Sequence, residues 1–244
     1  MTKTISAAAN PAMANNLINQ AMAETPVQKE VNIVEPSDTL VTLPGGYITA
    51  TGEVVTEAEV RELNGSDEEA ISKASNIGKA ILTILNRGTV KIGKEKATEQ
   101  LLDQLLSGDR DMLLLSIFKA TFGKTADLSA VCTGCNEFKS VTVDIDTDIK
   151  TKILADPIND RIFTVQGKNN VFTVQLPTGA AQKEMITNSD KTTAELNTIM
   201  LENCVLKIDN SPVLSKLQVQ NLGLTDRRKL VEAINKRIIG PQFE

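Results

Sequence analysis

The residues that could carry chemistry are few, and the clearest are two cysteines in the run CTGC, Cys132 and Cys135. Two thiolates separated by two residues on a glycine-containing turn can share one ion, because such a knuckle aims both sulfurs the same way. A structural zinc takes four nitrogen or sulfur ligands, yet the chain has no histidine and one further cysteine, Cys204. CTGC is therefore half a zinc site, to be completed by Cys204 as a third sulfur, a carboxylate, water or a second chain. Two free thiols or a local disulfide use the same residues. A thioredoxin-type reaction is disfavoured, since that motif needs a helix N-terminus to lower a thiol pKa and strand-like runs flank this one. The residue types call for no cofactor, and zinc is the one ion they admit.

Acidic and basic groups give no stronger case for catalysis. Glu68 and Glu69 are adjacent and do not share a helix face, and Asp144, Asp146 and Asp148 alternate at a strand end, where a solvated face explains them. Asp109 and Asp111 sit in the first turn of a helix, where negative charge is favoured. Arg110 between them is opposed by the helix dipole, so a specific partner is one reason for its presence. Arg227, Arg228 and Lys229, with Lys236 and Arg237, lie on a late helix among Leu230, Val231 and Ile234, and an acidic protein would use them more naturally than DNA. Asp109, Arg110, Asp111, Arg227 and Arg228 are thus the candidate contact residues. No glycine-rich phosphate loop with its lysine follows a strand.

Composition bounds the rest. With zero His and zero Trp, the commonest general base and one of the best interface anchors are gone. A net charge of −5 gives no electrostatic reason to expect nucleic acid or an anionic membrane. Three cysteines in 244 residues are too few for a disulfide scaffold, no segment approaches the length of a membrane span, and the N-terminus lacks an apolar signal region. The expectation is a soluble, unprocessed chain.

Elements must then position these residues. Residues 1–38, rich in Ala, Asn, Pro and Thr, read as a flexible arm, with a short helix admissible around Asn16 to Met22. From Thr39 the text alternates around the turn signals Pro44-Gly45-Gly46 and Thr51-Gly52, as short antiparallel strands do. Helical signals follow, with Ser66 opening one helix and Ile77, Ile81, Ile84 and Leu85 forming a stripe that ends at Gly88. Residues 98–106 give a short helix. Residues 109–122 give the strongest, with Leu113, Leu114, Ile117 and Phe118 on one face and Met112 and Leu115 widening it, which predicts a central buried core helix. Strands over 127–132 and 138–145 place the cysteines at a hairpin tip. RIFTVQ and VFTVQL pair across GKNN, VLKIDNSPVL turns at Asp209 and Asn210, and Thr178 or Gly179, Thr192 and Thr225 cap three later helices. The pattern is α+β: a helical core with short antiparallel hairpins over residues 39–244, with a subdivision near 150 left open.

In this order the motifs resemble the tailed-phage baseplate family that includes the small hub and hub-assembly proteins of the T-even type. The matching pieces are LPGGYITATGEV, VTEAEVRELNGSDEEAI, NRGTVKIG, LLSGDRDMLLLSIFKATFG, the CTGC turn, RIFTVQ with VFTVQLPTGAAQ, and LTDRRKLVEAINKR. GDRD (Gly108, Asp109, Arg110, Asp111) and LPTGA, from Leu176 to Ala180, are the most characteristic. The resemblance implies a non-enzymatic structural or assembly component at or near the baseplate hub. Its partners would be other phage tail proteins, with self-association open and no nucleic acid, membrane or small-molecule substrate. Its places would be the host cytoplasm during assembly and the virion tail. The alternative on the residues alone is a metal- or thiol-bearing regulatory module built on CTGC.

Overall fold

The computed structural model describes residues 39–131, 134, 135 and 137–242. The expected N-terminal arm and the first cysteine of the turn, Cys132, lie outside the described residues. The fold is α+β, as the alternation of signals predicts. Strands β1 (Leu40–Ile48) and β2 (Val54–Val60) form a hairpin whose turn contains Gly52 at φ +83. Helices α1 (Gly65–Ser72) and α2 (Ile77–Gly88) lead to β3 (Thr89–Ile92) and the two-residue β4 (Glu95–Lys96), which complete a sheet in the order β1-β2-β3-β4.

The short helix α3 (Glu99–Gln104) precedes α4 (Ser107–Phe122), the longest helix among the described residues. A separate hairpin follows, β5 (Thr125–Val131) with β6 (Phe138–Asp144), and the one-turn α5 (Ile145–Asp148) leads into β7 (Lys150–Lys152). The second half pairs β8 (Ile162–Gln166) with β9 (Val171–Gln175), with Phe163 opposite Val174 and Val165 opposite Phe172. Helices α6 (Gly179–Thr187) and α7 (Thr193–Cys204) come next, then β10 (Val205–Ile208) and β11 (Ser211–Pro212), which extend that sheet to β11-β10-β9-β8. Helices α8 (Lys216–Gln220) and α9 (Leu224–Asn235) precede the final β12 (Gly240–Gln242), which returns to pair with β7.

Burial corrects the picture of one core around one helix. Leu43, Val60, Leu85, Ile92, Leu102, Leu113 and Ile117 make one apolar cluster, and Phe172, Val174, Leu201, Leu230 and Ile234 make another. Helix α4 is central only to the first. A small third cluster of Leu106, Leu176 and Ile239 unites the start of α4, the end of β9 and the approach to β12. Along α4 the fully buried apolar residues are Leu113 and Ile117, whereas Met112, Leu114, Leu115 and Phe118 are partly exposed. The apolar stripe is narrower than expected because the buried part of this helix is its polar first turn.

Three local expectations also shift. The cap of α1 is Asn64, whose side chain accepts from the Ser66 and Asp67 amides, while the Asp67 carboxylate accepts in return from the Asn64 amide. Ile77 lies at the start of α2 but points outward, 74% exposed, so the stripe narrows to the buried Leu85 and the half-buried Ile81 and Ile84. Helix α9 begins behind Gly223, ahead of Thr225. Thr178 and Thr192 do cap α6 and α7 through bonds to Ala181 and Glu195.

Candidate functional site

Pro44, Gly45 and Gly46 read as a turn, but the strand runs through them as a bulge. The register jumps from Thr42 opposite Glu57 to Tyr47 opposite Val55, leaving the residues between without ladder partners. Buried backbone polar groups need partners from somewhere. Those of Pro44, Gly45 and Gly46 have distant partners. Leu154 donates its amide to the Pro44 carbonyl at 2.9 Å. Asp109 Oδ1 accepts from the Gly45 amide at 2.6 Å and the Gly46 amide at 3.3 Å. Arg161 donates through Nη2 to the Gly45 carbonyl at 2.9 Å and to the Gly46 carbonyl.

The first turn of α4 supplies the other half of this junction. Asp109 also accepts from the Leu106 amide through Oδ2 at 3.3 Å, so it caps its own helix while holding the bulge. Burial pushes its carboxyl up to about 6, against the three amide hydrogen bonds and the charge of Arg161, which favour the anion. Arg110, 1% exposed, donates to the Gly179 carbonyl at 2.5 Å and to Asp103 at 3.4 Å. The partner its position called for is inside the chain.

Glycines let these segments meet. A Cβ on Gly108 would fall on the Ile239 carbonyl, and Gly240, at φ +102, lies against the Gly108 backbone. A Cβ on Gly179 would fall on the Leu102 carbonyl and on the Arg110 side chain. Backbone bonds from Ser107 to Pro177 and from Gly179 to Leu105, at 2.9 and 2.7 Å, run along the same seam. GDRD, LPGG, LPTG and the C-terminal strand therefore converge on one buried knot.

Around it lies an outer polar layer. Gln182 donates to Asp111 at 2.6 Å, and Lys183 bridges Glu99 and Asp103 at 2.5 and 3.0 Å. This layer ties α3, α4 and α6 together. A second charged knot holds the first sheet to its helices: Asp67, buried, pairs with Arg61 at 2.7 Å and Arg87 at 3.1 Å. Those pairs hold its carboxyl well below the usual carboxylate range.

Of the contact residues read from sequence, Asp109 and Arg110 are corrected: both are enclosed, with their hydrogen bonds directed inward, and present no surface to another protein. Asp111 is half-buried against Gln182. Arg227 is half-buried and donates to the Val219 carbonyl and to Thr198, which fastens α9 to α7 and α8, while Arg228 is exposed.

The cysteines separate as well. Cys135 is exposed at the hairpin tip, its thiol 3.6 Å from the Glu137 carboxylate. Cys204 is fully buried at the end of α7, in the apolar cluster around Phe172, and burial pushes its thiol up to about 12. Cys204 lies inside that core, whereas Cys135 stands exposed at the tip. Among the described residues no three His, Cys, Asp or Glu side chains are placed to hold a metal.

Sequence reasoning missed Arg161, Gly45, Gly46 and Gly240 as members of the knot. The first of these precedes a strand and carries no local signal, Gly45 and Gly46 read as a turn, and nothing in the sequence singles out Gly240.

Residues 41–240 match the family described as T4 bacteriophage base plate protein. No curated protein and no solved structure matches the chain. The matched span begins in β1 ahead of the bulge and ends at Gly240, so it takes in every segment of the knot. The chain belongs to the T4 bacteriophage base plate protein family.

Proposed function

We propose that the chain acts as a non-enzymatic structural or assembly component at or near the baseplate hub, through contacts with other tail proteins. The observation that carries this reading is the use made of its most distinctive residues. Asp109, Arg110 and Arg161 would be plausible acid, base or anion-binding groups in an open cleft, but they hold backbone segments 45–46 and 179 inside the molecule. Such an arrangement fixes the relative placement of two apolar cores and favours a rigid part over a reacting one. Membership of a baseplate family supports the same conclusion.

The test is genetic and structural together. A phage unable to make the chain should stop before a complete baseplate, and cross-linking of parental assembly intermediates should join the chain to hub proteins. Complete, infectious particles formed without it would overturn the reading.

A further inference from the structure

CTGC is a motif that neither the apolar clusters nor the buried knot absorbs. Strands β5 and β6 form a two-stranded sheet of their own, paired without a break from Thr125 opposite Asp144 to Val131 opposite Phe138. Residues 132–137 close that ladder, so both cysteines of the motif belong to one short connection. The second of them, Cys135, is a free and exposed thiol.

The flanks of the connection are apolar and open. Val131 and Phe138, the last pair of the ladder, are 50% and 81% exposed. Two such tips brought together would cover both pairs, and a twofold contact of this kind needs only one patch that complements itself. The apolar pair is too small to hold two copies by itself, since a stable interface buries roughly 800 Å² per partner. Something stronger has to join the tips, and the residues between Val131 and Phe138 include two metal-ligating thiols.

We propose that two copies of the chain join at their β5–β6 tips around one zinc ion, held by Cys132 and Cys135 of each copy. A structural zinc takes four ligands, and a chain without histidine offers it thiolates or carboxylates. The third cysteine, Cys204, is enclosed at the end of α7 among Phe172 and Leu201, so a second CTGC turn is the source of two more sulfurs in the same spacing. Each thiol gives up its proton on binding: one zinc ion and two thiols from each copy form a tetrathiolate and release those protons to solvent, so the joined form weakens as pH falls. Glu137 is the competing ligand, because its carboxylate accepts from the Cys135 thiol at 3.6 Å. The proposal stands apart from the baseplate reading, since it concerns the chain alone.

The test uses the full chain, made in zinc-supplemented medium and purified with a thiol reductant. Elemental analysis and light scattering should give one zinc per two chains and a dimer. Removing zinc with EDTA should return the monomer, and adding zinc back should restore the dimer. Cobalt in place of zinc should show the intense thiolate-to-metal charge transfer of a tetrahedral four-sulfur site. Cys132→Ser and Cys135→Ser should each lose both the zinc and the dimer, whereas Cys204→Ala should keep both. Without metal, the parent and the two serine variants should melt alike, and zinc should shield Cys135 from an iodoacetamide that reaches it in the metal-free chain. One zinc per chain in a monomer would put the ion on the cysteines and Glu137 of a single copy and overturn the proposal. So would a chain that stays monomeric and free of zinc, or a dimer that survives loss of the metal or Cys135→Ser.

Discussion

Asp109 and Arg161 grip the same two residues from opposite polar sides, the carboxylate taking the amides of Gly45 and Gly46 and the guanidinium their carbonyls. A bulge that would otherwise leave four buried backbone groups unpaired becomes an attachment point between β1, the start of α4 and the approach to β8. Opposite charges on the two clamps reinforce one another, since the field of Arg161 favours the Asp109 anion.

The clamp makes a pH-dependent prediction whose sign is set by burial. The folded Asp109 titrates near 6, above the ordinary 3.8, so its contribution is complete below the ordinary value and is lost as pH rises through about 6. Asparagine at 109 cannot titrate. Relative to the parent, Asp109→Asn should therefore gain roughly 2 to 3 kcal/mol between about pH 4 and pH 7. Asp109→Ala, which removes the acceptor for three amides, should be less stable than Asp109→Asn by about 1 to 3 kcal/mol throughout. Urea melts of the three proteins across this range check both statements; parallel pH profiles for parent and Asp109→Asn would refute the burial argument.

Asp67 should respond in the opposite direction. Its carboxyl is held low chiefly by the hydrogen bond from Arg61, so its contribution is present above the ordinary carboxylate range and is lost as pH falls through the lower folded value. Asp67→Asn should cost about 1 to 3 kcal/mol at neutral pH, discounted because the Arg61 and Arg87 side chains are 37% and 43% exposed. The penalty should shrink on acidification. Denaturant midpoints for parent and variant at neutral and acid pH would show it, and a penalty that grows toward acid would contradict the assignment.

Gly108 tests whether the seam needs close backbone approach. A methyl there would meet the Ile239 carbonyl and the Gly240 amide, which are main chain and cannot rotate away, so Gly108→Ala should cost about 1 to 3 kcal/mol despite the better helix propensity of alanine. Gly65, at the start of α1, has open space around its Cβ position, and Gly65→Ala should leave the melting temperature unchanged or raise it. Equal behaviour of the two variants would mean that the C-terminal strand does not sit on α4 in solution.

Much of this architecture is legible in local sequence, and the knot shows where legibility ends. The FTVQ strands pair as their alternation demands, and Thr178 and Thr192 announce their helices, because strand periodicity and capping act within a few residues. Pro44-Gly45-Gly46 carries the composition of a turn and is instead a bulge, since what holds it is a carboxylate 64 residues away. Arg110 is opposed by the dipole at a helix start, and the carbonyl that answers it belongs to Gly179 of the same chain, not to another protein. The division of the interior into two clusters was hidden because hydrophobic spacing says which residues are buried and not against what. Arg161 and Gly240 matter only through long-range contacts, so no pattern around them could mark them.

The two described cysteines should differ sharply in reactivity. Cys135 is exposed in the turn, whereas Cys204 is enclosed at the end of α7 with its thiol pushed up to about 12, which leaves almost no thiolate at neutral pH. Under native conditions an iodoacetamide probe, located by peptide mass spectrometry, should modify Cys135 readily. Cys204 should become reactive only in denaturant. Cys204→Ser places a hydroxyl in the apolar cluster of Phe172, Leu201 and Leu230 and should destabilise the fold by about 1 to 3 kcal/mol, whereas Cys135→Ser should leave the thermal transition where it is. Native labelling of Cys204 at a rate comparable to Cys135 would show that the end of α7 opens to solvent and that the second core is looser than its packing implies.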